Sequence, residues 1–231
     1  MAKTMFKVLD TSLMYETSAS AVTYPAELKY YEVEGFETAT TKIPQVLEAP
    51  ARSSIEEEYP EVVELSRKLK NNEELTEADE WNLNEIVEAS GWSREDVEED
   101  LKNLDADPKG REERYWSLFK KYYEEAMELK SKGDDLQAAE KMWGAITALI
   151  KAYAARKRIL VEYWSRGKLN HFVANNAEAK LRRPLEDLLT YGEELHEHFY
   201  EEKLPPTKLN RRWKQCTELI KEIEAEMKTS P

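Results

Sequence analysis

Between Lys151 and Arg183 the chain carries nine cationic side chains: Lys151, Arg156, Lys157, Arg158, Arg166, Lys168, Lys180, Arg182 and Arg183. Only Glu162 and Glu178 oppose them. Guanidinium and ammonium groups at this density suit phosphate neutralisation. The aromatic residues nearby, Tyr153, Tyr163, Trp164 and Phe172, suit stacking on unpaired bases, so the chemistry indicated is recognition of single-stranded RNA. The competing account is structural, because cations near a helix C-terminus complement its dipole and remain solvated.

Other reactive residue types are sparse. His196 and His198 are two apart, roughly 200° around a helix axis, and cannot hold one metal together. Glu194 and His198 have chelating spacing but no evident third ligand. His196 and Tyr200, four apart, border the Leu195/Phe199 stripe and are expected to satisfy each other or a backbone carbonyl. Cys216 is the lone cysteine, which excludes an internal disulfide framework and a thiolate zinc cluster. No glycine-rich phosphate loop, zinc pattern or nucleophile elbow occurs, and no cofactor or metal is expected.

The elements that must position these residues are helical. Charged residues make up 35% of the 231, against seven glycines and nine prolines, a balance that favours long solvated helices. The start lacks an uninterrupted apolar segment and no window approaches a membrane span, so the expected setting is cytoplasmic, with no membrane partner. The net charge of -13 is uneven: residues 1–53 sum to -2, 54–107 to -14 and 108–231 to +3.

Residues 1–53 lack helical periodicity and read as an extended arm with short strand-prone runs at Phe6–Leu9 and Leu28–Val33. From 54 to 107 three short acidic helices are expected, with Ser54, Thr76 and Ser93 opening them and Gly91 closing the second. Their candidate core is Val62, Leu65, Leu69, Trp81, Leu83, Ile86, Val87, Trp92, Val97, Leu101 and Leu104. The string "EIVEASGWSREDVEEDLKNL" is similar to two helices of a ubiquitin-associated-like domain, but the pattern is common and an acidic appendage on the main bundle is preferred. Residues 105–110 read as a hinge.

Beyond it, Tyr115, Leu118/Phe119, Tyr122, Ala126 and Leu129 line a helix stopped by Gly133. Asp134 or Asp135 caps the next helix, whose stripe is Leu136, Ala139, Met142/Trp143, Ile146, Leu149/Ile150 and Tyr153. Gly167 is expected to precede a short helix near 168–179, Pro184 to start another, and Pro205-Pro206 to start the last. In that last helix Leu209, Trp213, Cys216, Ile220, Ile223 and Met227 form a seam, which makes Cys216 an inert buried thiol.

Three ordered segments resemble the archaeal PaREP family, of the first of its two kinds, over about residues 110–226. "GDDLQAAEKMWGAITALIK" carries its helix-turn signature at Gly133, Asp134, Gln137, Ala138, Glu140, Lys141 and Ala145. "SRGKLNHFV" at 165–173 matches an Arg-Gly-Arg/Lys element, and "GEELHEHFYEEKLPPTKL" at 192–209 matches a Leu-His-x-x-Phe-x-Glu element through Leu195, His196, Phe199 and Glu201 or Glu202. The resemblance implies a bundle similar to the HEPN superfamily, whose nucleolytic members pair an Arg with a His four to six residues later at a dimer cleft. Arg166 and His171 satisfy that spacing. Two departures weigh against catalysis: Gly167 replaces the usual polar residue, and the segment falls where the family shows its Arg-Gly element.

The expectation is therefore a mainly α protein: an antiparallel HEPN-like bundle at 108–231, preceded by an acidic three-helix module at 54–107 and an arm at 1–53. Its expected work is non-catalytic binding of RNA or a ribonucleoprotein through 151–183, with the acidic module masking the patch when no partner is present. The alternatives are a metal-independent ribonuclease built on Arg166 and His171, or a protein-only adaptor that engages its partner through the arm or acidic helices. A homodimer is compatible with each.

Overall fold

The computed structural model describes residues 59–161 and 166–229. The arm expected at 1–53, its strand-prone runs and the Ser54 helix start lie outside them. Eight helices and no strand occur among the described residues, so the protein is mainly α. They are α1 (Pro60–Asn71), α2 (Glu77–Ser90), α3 (Arg94–Lys102), α4 (Pro108–Ser131), α5 (Asp135–Arg156), α6 (Arg166–Asn176), α7 (Ala179–Glu201) and α8 (Pro206–Thr229). None is long and apolar enough to cross a membrane.

Local chemistry accounts for most boundaries. Thr76 and Asp79 form a reciprocal capping box at α2, and Gly91 ends that helix in the left-handed region at φ 69°. Ser93 caps α3 by accepting from the Asp96 amide, and Asp134 caps α5 by accepting from the Gln137 amide. Three boundaries differ from those expected of the sequence. Pro108 and Gly110 lie inside the first turn of α4, because Asp107 accepts from the Lys109 and Gly110 amides and proline suits a first helical position. Gly167 lies inside the first turn of α6. Pro184 lies within α7, because the strong helix formers Ala179 to Arg183 add a turn before it and Leu181 buries itself there.

α5 is the central helix. From Ala138 to Ala155 every residue except Glu140 and Lys141 is buried, the pattern of a helix covered on all sides. α4 packs antiparallel to it across the Lys132-Gly133-Asp134 turn, α7 lies on another side, and α8 packs on α7. The α8 seam is as expected: Leu209, Trp213, Cys216, Ile220, Ile223 and Met227 are all buried.

The acidic helices share this core. Val62, Leu65, Leu69, Leu83, Ile86, Trp92, Val97 and Leu101 belong to one apolar cluster with the bundle, with Val87 and Leu104 packed at its margin. Trp81 departs from expectation and stands 63% exposed, because Leu83, Ile86 and Ser90 form the inner stripe of α2 and Trp81 falls on the opposite face. The α2–α3 turn is seated directly on α5. Trp92 Nε1 donates to the Gly144 carbonyl at 2.8 Å, Trp143 Nε1 to the Ala89 carbonyl at 2.9 Å, and Thr147 Oγ1 to the Ser90 carbonyl at 3.0 Å. Tyr122 accepts from the Ser93 amide and donates to Asp96.

Below that turn Lys151, 2% exposed, reaches Asp100, 3% exposed, at 3.0 Å. Its ammonium lies over the rings of Trp92 and Tyr115, and Arg114 Nε stands 3.6 Å from the same carboxylate. Burial pushes the Lys151 ammonium down to about 8, against the upward pull of Asp100. Removing Lys151 leaves the Asp100 carboxylate in the core with only the longer Arg114 contact to offset it. Lys151→Met is expected to cost about 3–5 kcal/mol in urea unfolding, and Asp100→Leu added to it to restore most of that stability. Equal stabilities for the single and double variants would contradict the pairing.

Burial also pushes the Cys216 thiol up to about 12, so at pH 8 it is protonated as well as enclosed. A disulfide exchange reagent at that pH is expected to leave Cys216 unmodified in the native protein and to titrate it fully after denaturation. Rapid native labelling would contradict the seam.

Candidate functional site

The C-terminus of α5, the first turns of α4 and α7 and the end of α8 meet at one end of the bundle, and most of the cations noted in the sequence gather there. They do not form one open patch. Lys151 is excluded outright, because its inner position on α5 buries it against Asp100, where no phosphate can approach. Arg156 chelates Glu112 of α4 through Nε and Nη2 at 2.8 and 2.7 Å, and gives Nη1 to the Met227 carbonyl of α8. Lys157 bonds Glu178 at 2.5 Å, and Tyr153 OH accepts from the Glu178 amide, so the end of α5 holds the start of α7. Each partner of the Lys157–Glu178 bond is shifted toward its charged form by the other. Lys180 pairs with Glu226 and ties α7 to α8. These cations fasten helix ends together.

What remains outward is smaller. Arg158 is exposed and makes no ion pair among the described residues. Its backbone occupies the left-handed region at φ 59°, with its amide on the Ala155 carbonyl and the Ile159 amide on the Ala154 carbonyl. This is a Schellman turn, in which glycine is the usual residue and any side chain carries a strain of about 1 kcal/mol. Arg183 is 89% exposed, with only a long 3.8 Å approach to Asp187. Arg182 is exposed and donates to the Ala177 carbonyl of its own turn. Lys168 lies over the Tyr59 ring at 5.0 Å. Arg158, Arg156 and Lys109 also line a shallow cleft of about 360 Å³ beside Asp107 and Glu112.

The aromatic residues do not serve this surface. Tyr153 and Phe172 are buried edge to face at 5.9 Å, so no base can stack on them, and Tyr163 and Trp164 lie outside the described residues. Arg166 and His171 stand five residues apart on α6, about 140° around the helix axis. His171 is exposed, and the Arg166 side chain lies outside the described residues.

The family-element histidine has a partner that its helical spacing does not reveal. His196 Nδ1 meets Glu140 Oε2 at 2.7 Å, joining α7 to α5. Its ring stacks on Trp143 at 5.3 Å and meets the edge of Tyr200 at 5.2 Å. The bond to Glu140 replaces the expected bond to Tyr200 or to a carbonyl, because Tyr200 presents its ring and stands half exposed. Glu140 belongs to the first family segment, so two segments 56 residues apart converge on one contact. His198 is buried and accepts from the Leu204 amide, while Glu194 is held by Arg212 and Lys208. Among the described residues no three His, Cys, Asp or Glu side chains gather as a metal site.

No curated protein and no solved structure matches this chain. Residues 114–220, which include α5, the His196–Glu140 contact and the outward cations Arg158, Arg182 and Arg183, match the model of the Archaeal PaREP1/PaREP8 family.

Proposed function

We propose that this chain is a non-catalytic, HEPN-like helical protein that acts in the cytoplasm by binding RNA or a ribonucleoprotein through the outward cations at the end of the bundle. The observation that carries the reading is Arg158, a charged residue placed in a left-handed turn and left without an ion pair among the described residues, while its neighbours Arg156 and Lys157 are consumed by helix ends. Arg182 and Arg183 add guanidinium groups on the adjoining turn of α7. The pairs formed by Lys157 and Lys180 are partly exposed, and such pairs are worth little, so a phosphate can compete for them. The acidic helices do not act as a removable cover in this reading, because Asp100 holds Lys151 inside the core and deleting 54–107 would strip that core open.

Labelled single-stranded RNA should bind with an affinity that falls as salt rises. Combining Arg158→Ala, Arg182→Ala and Arg183→Ala is expected to weaken binding and to flatten the salt dependence by about one unit of slope for each phosphate left without its cation. Unchanged affinity and slope would sink the reading. The same incubations test the ribonuclease alternative, since RNA cut by the wild type and spared by His171→Ala would replace binding with catalysis.

A further inference from the structure

The outer face of α2 is built unlike the rest of the acidic segment. Glu77, Ala78, Trp81, Asn84, Glu85 and Glu88 are its exposed residues, and their spacing places them on one stripe of the helix. Neighbouring carboxylates are taken by cations: Glu64 and Glu73 by Arg67, Glu80 and Glu98 by Arg94, and Asp105 by Lys70. Glu77, Glu85 and Glu88 make no ion pair among the described residues. Between them Trp81 leaves 63% of its surface in water, the most exposed large apolar side chain among the described residues. A tryptophan in the open at the centre of unneutralised carboxylates is not needed by the core, which closes through Leu83 and Ile86 on the opposite side.

The stripe continues past the helix. Half-exposed Tyr200 packs edge-on against His196, which stacks on Trp143, and Trp143 Nε1 bonds the Ala89 carbonyl beside Glu88, so this ring lies toward the C-terminal end of α2. The surface therefore offers an indole face, a second aromatic ring and three free carboxylates, with no cation paired to them among the described residues.

We propose that this face docks a Lys- and Arg-rich segment of a partner protein, with one cationic side chain laid on the Trp81 indole and its neighbours paired with Glu77, Glu85 and Glu88. Charge decides the class of occupant. Residues 54–107 sum to -14, so phosphate-bearing ligands are repelled and cationic ones drawn in. An indole is the best aromatic platform for an ammonium or guanidinium, and a central aromatic ringed by polar groups is the usual form of an interface anchor. The face is separate from the bundle end proposed to meet RNA and does not depend on that reading.

The test is fluorescence anisotropy of labelled octa-arginine with the full chain, its fold checked by circular dichroism. Trp81→Ala is expected to keep the fold and weaken binding about threefold or more, the scale of an exposed cation–π contact. Combining E77Q, E85Q and E88Q is expected to weaken it by about tenfold or more. The control combines E61Q, E74Q and E95Q, which remove the same charge from exposed sites elsewhere on the segment that make no ion pair among the described residues, and it should stay near wild-type affinity. An equal drop in the control, or wild-type affinity in Trp81→Ala, would overturn the proposal. So would sedimentation showing that Trp81→Ala separates a self-associated wild type, which would make the occupant a second copy of this chain.

Discussion

The backbone of Gly91 lies against the backbone of Gly144, and a Cβ on Gly144 would stand 2.7 Å from the Gly91 carbonyl oxygen. Only glycine permits that approach, and Gly91 itself needs the left-handed φ of 69° to make the turn. The seat made there brings Trp92, Ala89 and Ser90 within hydrogen-bonding reach of α5 and lowers α3 until Asp100 meets Lys151. Each bond is worth about 1 kcal/mol, but the contact also closes the apolar core over Trp143 and Met142. The acidic helices and the bundle differ in charge and share one interior.

That arrangement assigns the cations their tasks. A lysine in the middle of a helix buried on all sides requires an anion from another element, and α3 supplies it. Helix ends that converge leave unpaired carbonyls and dipole charge, and Arg156, Lys157 and Lys180 answer these with bridges between α5, α4, α7 and α8. The proposed binding chemistry draws on the side chains that packing did not recruit, Arg158, Arg182 and Arg183 at one end and Trp81 with its carboxylates on α2. The two surfaces carry opposite charge, which is why different partners are proposed for them.

Local rules in the chain are enough to read most of this fold. Thr76, Ser93 and Asp134 cap where their hydroxyls and carboxylates predict, Gly91 and Gly133 end helices with positive φ, and the α8 seam follows its threes and fours. The site is harder to read because its meaning depends on distant pairs. Glu112, Glu226 and Asp100 stand 44 to 51 residues from the cations they neutralise, and no spacing rule reports such contacts. One signal is present: Lys151 is the single charge between Met142 and Ala155, and an isolated charge in an apolar helix belongs to a buried pair more often than to a patch. Pro184 misleads for a local reason, since a proline near a helix start leaves the preceding turn undetermined when good helix formers come before it.

The shared interior is tested most directly by hydrogen exchange of individual amides under native conditions across a denaturant series. Amides of α1 and α3 are expected to reach the same opening free energy and denaturant dependence as those of α5, because the turn seated on Gly144 cannot leave without opening the core. Exchange of α1 and α3 through a separate, cheaper opening that leaves α5 protected would contradict the account.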